Sequence, residues 1–135
     1  MPLLSWKENM SVNNREIDSQ HKKLISLTNE LSDAMKERKG KEILNKTICE
    51  LVSYTEVHFK YEEDYFDKYV YKETISHKDE HKKFVKQISE FKNDFESGKL
   101  SLSIDVMSFL SSWLRNHIKG TDQKYTQFFK DNNIN

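Results

Sequence analysis

Apolar residues recur three and four positions apart in four separate stretches of this chain, the spacing that lines one face of an α-helix. The first stretch predicts a helix from about Asp18 to Arg38, with His21, Leu24, Thr28, Leu31 and Met35 on one stripe. Asp18 is its expected N-cap and Gly40 its expected stop. The second, from about Lys41 to Phe66, carries Leu44, Ile48, Leu51, Thr55, His58 and Glu62. The third runs from about Lys72 to Ser97, ahead of Gly98, and carries His77, His81, Phe84, Ile88, Phe91 and Phe95. The fourth begins near Ser103 and carries Val106, Leu110, Trp113 and His117. Residues 1–17 read as an irregular arm, and Tyr125–Lys130 as a short terminal helix. Amphipathic helices joined by short loops predict an all-α, up-down-up-down four-helix bundle with an irregular N-terminal arm.

Composition narrows this picture. One proline and three glycines in 135 residues leave few helix breakers, and the length suits a single domain spanning 1–135. Lys and Arg number 22, as do Asp and Glu, so no net charge marks the chain for nucleic acid or an anionic membrane. There is no apolar run of ~18 residues, and Met1–Trp6 is followed at once by Lys7 and Glu8. Neither a membrane segment nor a secretory signal is therefore expected, and a cytoplasmic location is. Cys49 is the only cysteine, which excludes an internal disulfide and a thiolate cluster. Its expected role is a small buried or half-buried side chain.

The candidate chemistry lies on the stripes themselves. Of the five histidines, His58 is followed four residues later by Glu62, His77 by His81, and His117 five residues later by Asp122. His21 stands on the first stripe. Any one of them alone reads as a hydrogen-bonded core histidine. Several unpaired imidazoles and carboxylates facing one another in a bundle core are costly unless they hold a cation. Antiparallel packing brings His21, His58, Glu62, His77, His81, His117 and Asp122 to one end of the bundle. Imidazole and carboxylate together suit first-row metals such as iron, copper or zinc.

A rival pattern is His77-Lys78-Asp79-Glu80-His81, which matches the H-x-x-E-H motif of inverzincin peptidases. There two histidines hold zinc and the glutamate activates water. Glu80 lies beside the stripe, however, and that reading leaves His21, His58 and His117 unused. The Glu-x-x-His motif of ferritin-type di-iron bundles does not occur here, so the site is rich in nitrogen. Asp122 stands roughly 140° round an ideal helix from His117. The fourth helix must widen, bend or end near Gly120, the residue least costly to distort.

Specific runs carry a resemblance: Trp6, Ile17-Asp18-Ser19-Gln20-His21, His58-Phe59-Lys60-Tyr61-Glu62, His77 with His81, and Trp113-Leu114-Arg115-Asn116-His117-Ile118-Lys119-Gly120-Thr121-Asp122. Over essentially its whole length the chain resembles the hemerythrin family in its stand-alone, bacteriohemerythrin-like form. The resemblance implies a non-haem di-iron centre, two iron ions joined by an oxo or hydroxo bridge. His77, His81 and His117 would hold one iron and His21 and His58 the other, with Glu62 and Asp122 bridging both. One coordination place stays open on the two-histidine iron, where dioxygen would bind. Leu24, Phe59, Trp113, Leu114 and Ile118 match the family's oxygen-pocket positions and are all apolar, although core packing accounts for the same residues. Tyr125 is the one phenol expected near the cluster. Val12-Asn13 stands where relatives often carry Val-Gly; asparagine tolerates left-handed backbone, so a similar turn is expected.

The implied function is reversible oxygen binding for transport, storage or delivery, not catalysis. Its partners would be dioxygen and an unidentified oxygen-accepting protein. The alternative is a di-iron enzyme or detoxifier acting on peroxide or nitric oxide with the same centre.

Overall fold

A computed structural model describes residues 4–37, 41–97 and 104–134. Helices α1 (Arg15–Lys36), α2 (Lys41–Tyr69), α3 (Thr74–Glu96) and α4 (Ile104–Asn116) form the up-down-up-down bundle, and a short α5 (Thr126–Asp131) follows. The described residues contain no strand. The expected stops at Gly40 and Gly98 and the start near Ser103 lie outside the described residues, as does the side chain of Val106. No described helix is long and apolar enough to cross a membrane.

The first helix starts earlier than its stripe suggests. Asn14, not Asp18, is the N-cap: its side chain accepts from the Ile17 backbone N–H at 2.9 Å. Asp18 is engaged elsewhere, accepting from Ser11 Oγ at 2.6 Å and from the Val12 N–H at 2.9 Å. These bonds fold the arm onto the start of α1, and Asn13 between them adopts the left-handed backbone its residue type favours, at φ 59°. Farther out, Asn29 donates to the Leu4 carbonyl at 2.8 Å and accepts from the Leu4 N–H at 3.0 Å. The arm is thus tethered along α1, with a 3-10 turn at Glu8–Met10.

Two apolar clusters result. The larger contains Leu24, Leu31, Ile48, Leu51, Phe84, Ile88, Leu110, Leu114 and Ile118 and fills the bundle. Within it Phe84 of α3 stacks on Trp113 of α4 with ring centroids 3.9 Å apart. The smaller joins Val12 and Ile17 to Phe66, Tyr71, Tyr125, Phe129 and Ile134. Burying each such side chain contributes roughly 1.5–3 kcal/mol.

The α2–α3 connection shows how the second cluster closes. The Tyr71 N–H donates to the Phe66 carbonyl at 3.0 Å across Val70, which sits in the left-handed region at φ 56°. This is a Schellman-type helix end, and the Tyr71 and Phe66 rings meet beneath it at 5.0 Å. Valine is a poor residue for that backbone, which costs an L-residue roughly 1–2 kcal/mol. Its side chain is 83% exposed, so little packing would be lost on replacing it. Val70→Gly and Val70→Asn should therefore each stabilise the fold by up to about 1 kcal/mol, raising Tm by about 3 °C. Thermal unfolding followed by circular dichroism checks this; a fall in Tm for both variants would show that the valine is not strained.

Candidate metal centre

The bundle brings all the stripe histidines and carboxylates together between the two apolar clusters. α1 supplies His21, α2 His58 and Glu62, and α3 His77 and His81; His117 and Asp122 follow α4. All are buried, and His21, His58, Glu62 and Asp122 have no exposed surface. Ligand-type atoms of Glu62, His77, His81, His117 and Asp122 lie within 4.8 Å of one another, and so do those of His21, His58, Glu62 and Asp122. The two groups share both carboxylates. Asp122 turns Oδ2 to His21 Nε2 at 3.0 Å, and Oδ1 to His77 Nε2 and His117 Nε2, each at 3.0 Å. Glu62 Oε1 faces His58 Nε2 at 3.2 Å and His81 Nε2 at 3.4 Å.

Asp122 reaches this position because the chain widens. His117–Thr121 forms a π-helical turn, closed by the Asp122 N–H donating to the His117 carbonyl. A wider turn carries more residues per revolution, so a residue five positions on returns to nearly the same face. Gly120 is not what permits this. A Cβ added there would meet nothing within 4 Å. The expectation that a glycine absorbs the distortion is corrected: a π turn keeps right-handed backbone that any L-residue adopts.

Three outer contacts orient the rings. His58 Nδ1 pairs with Gln20 Oε1 at 2.6 Å, His81 Nδ1 with Glu63 Oε2 at 2.9 Å, and His117 Nδ1 with Glu80 Oε1 at 2.6 Å. Each acceptor has no proton to give, so Nδ1 is the donor and Nε2 is the nitrogen left to serve as a ligand on the inner side. The Nε2 atoms of His81 and His117 face each other at 3.0 Å, a contact that needs a proton or a metal cation between them. Other atoms tell the same story. His21 Nδ1 and Nε2, the Nε2 atoms of His58 and His77, Glu62 Oε1 and both Asp122 oxygens are buried without a directed hydrogen bond. Buried polar atoms are rarely left so. The residues present fit a metal.

Periodicity does not reveal Gln20, Glu63 or Glu80, because a cross-helix acceptor leaves no repeat. One signal was nonetheless in the chain: each directly adjoins a stripe residue, namely His21, Glu62 and His81.

The electrostatics follow from burial and crowding. Burial works against a charged His117, yet Asp122, Glu80 and Glu62 overcome it and push the imidazolium up to about 10. His81 is raised likewise, burial being outweighed by Glu62 and Glu63. Burial dominates at His58 and lowers it. Asp122 is held well below the usual carboxylate range, burial opposing but His117, His21 and His77 prevailing. Burial and Asp122 push Glu62 up, while His58 and His81 bring it below its ordinary value. Tyr125 donates a hydrogen bond to Glu62 Oε2, and burial with the two carboxylates raises its phenol well above 10.0.

Above the cluster lies a cavity of about 10 Å³, on the scale of one water-sized molecule. Leu24, Phe59, Trp113 and Leu114 line it, together with Thr28 and Thr55. Ile118 is fully buried in the same apolar cluster but does not line this cavity. The two threonine hydroxyls are committed to their own helices, donating to the Leu24 carbonyl at 2.9 Å and the Leu51 carbonyl at 2.7 Å.

Comparison with known proteins places this geometry in context. Residues 12–129 match the family model "Hemerythrin HHE cation binding domain". The chain is 33% identical over 130 residues to a bacteriohemerythrin of Stenotrophomonas maltophilia (strain R551-3), covering 96% of this chain and 84% of that one. It is 36% identical over 121 residues to a hemerythrin-like protein of Naegleria gruberi, covering 90% and 89%. A wild-type hemerythrin crystal structure superposes with TM-score 0.87 at 29% identity, over 93% of this chain and 96% of the other.

Metal uptake should release protons, because a cation must displace those held by His81 and His117. Calorimetric titration of a divalent cation into metal-free protein, in buffers of different ionisation enthalpy, measures that release. The apparent affinity should rise with pH through neutrality and go on rising above pH 8, because His117 holds its proton up to about 10. Affinity independent of pH would argue against imidazole ligands.

Proposed function

The chain belongs to the hemerythrin family, and on that premise we propose that it binds dioxygen reversibly at a non-haem di-iron centre, serving oxygen transport, storage or delivery. The observation that carries this reading is the pair of ligand groups sharing Glu62 and Asp122. A single ion would leave one group unused. His77, His81 and His117 would hold one iron, His21 and His58 the other, and the two carboxylates would bridge them. Two ferrous ions held by these residues would supply reversible two-electron chemistry toward dioxygen.

The rest of the chemistry belongs to the chain. The group with His21 and His58 has one imidazole fewer, and we assign it the open place. Leu24 and Thr55 lie one turn from His21 and His58, and Phe84 and Leu114 one turn from His81 and His117, so the small cavity adjoins both ligand groups. Its wall offers no free hydroxyl proton, since Thr28 and Thr55 are tied to backbone carbonyls. Phe59 lies flat on His81 at 3.7 Å and Trp113 on His117 at 4.4 Å, shielding both rings from water. Tyr125 belongs to the opposite apolar cluster. A pocket without acids lets oxygen leave unchanged.

A second reading, an enzyme or detoxifier acting on peroxide or nitric oxide, is favoured by one observation: the Tyr125 phenol bonded to Glu62. The lifetime of the oxygenated form separates the two. Anaerobic reconstitution should give about two iron per chain, and air should produce a visible absorption band that deoxygenation removes repeatedly. One zinc per chain would instead revive the H-x-x-E-H site, and rapid turnover with peroxide would favour the detoxifier.

Leu114, 6% exposed, precedes His117 by one helical turn and lines the cavity. Leu114→Ala should keep its iron but lose its oxygenated form several-fold faster, at a stability cost of about 2–5 kcal/mol. Decay of the absorption band in air measures this. An unchanged lifetime would remove Leu114 from the oxygen pocket.

A further inference from the structure

The three acceptors that orient the cluster's imidazoles differ in charge, and the difference divides along the two ligand groups. In the larger group His81 and His117 face the carboxylates of Glu63 and Glu80 at 2.9 and 2.6 Å. In the smaller group His58 faces the neutral amide oxygen of Gln20 at 2.6 Å. The buried His21 Nδ1 has no hydrogen-bond partner among the described residues. Geometry is matched while charge is not, since Gln20 and Glu80 accept at the same distance. Thr121 Oγ1 donates to the same Glu80 oxygen at 2.8 Å and fixes it in place.

A carboxylate accepting from Nδ1–H makes a charge-assisted bond that shifts electron density into the ring and strengthens Nε2 as a donor. A neutral amide fixes the tautomer equally well but adds no charge. We propose that Glu63 and Glu80 are positioning residues that make the two metal positions unequal. The three-histidine position binds its ion more tightly and favours its higher oxidation state; the two-histidine position is the weaker. This rests on the two-metal reading above. It also gives Glu80 a role other than the water-activating one of the H-x-x-E-H motif: it acts through His117.

The test uses the full chain with Glu63→Gln, Glu80→Gln, Gln20→Glu and Thr121→Val, each titrated anaerobically with ferrous ion and then assayed for midpoint potential. The wild-type protein should bind two ions in two resolvable steps. Each Glu→Gln change should weaken the tighter step about 10- to 100-fold, alter the weaker step far less, and raise the potential. Gln20→Glu should tighten the weaker step and narrow the gap. Thr121→Val, which frees charge on Glu80 with little structural change, should lower the potential and serves if a glutamine variant fails to fold. Equal losses at both steps with an unmoved potential would reduce Glu63 and Glu80 to structural roles and overturn the proposal, as would wild-type constants in both glutamine variants. Uptake of only one ion by the wild-type chain would overturn the two-metal reading instead.

Discussion

Glu62 and Asp122 are two carboxylates with no exposed surface, facing five imidazoles in the middle of a helical bundle. Taking such groups out of water costs several kcal/mol each, and the imidazoles offset this only where geometry and protonation match. Here they match incompletely: ring nitrogens and carboxylate oxygens approach at 3.0 Å without making directed bonds. A metal cation would complete them. The fold is arranged so that these groups can meet nowhere but at that point.

The arrangement propagates along the chain in order. Gln20 on α1 orients His58 on α2, Glu63 on α2 orients His81 on α3, and Glu80 on α3 orients His117 after α4. Each helix thus sets the ring of the next, which ties ligand geometry to helix packing. The π turn at His117–Thr121 then brings Asp122 back onto the cluster, where it faces imidazoles from α1, α3 and its own segment.

The apolar clusters give the two sides of the centre different chemistry. On one side leucines and aromatic rings enclose a small cavity whose threonine hydroxyls are internally bonded. On the other, Tyr125 presses its phenol onto Glu62 amid Phe66 and Phe129. A proton donor therefore touches a shared carboxylate but not the cavity.

Much of this was written in the sequence because helical period and burial are linked. The stripes carrying Leu51, Thr55, His58 and Glu62, or His77, His81 and Phe84, fix which residues face inward, and the bundle and its polar cluster follow. The interval between His117 and Asp122 required a deformed helix, and the turn at Asn13 was expected from the family resemblance, which asparagine's tolerance of left-handed backbone allows. Tertiary structure decided what periodicity cannot encode. Asp18 tethers the arm, leaving Asn14 to cap the helix, because two donors from the arm reach its carboxylate. Gly120 proves dispensable for the π turn because space around it is open. Gln20, Glu63 and Glu80 gain their roles only through neighbouring helices, since a hydrogen bond between helices depends on distance and angle in space and not on spacing along the chain.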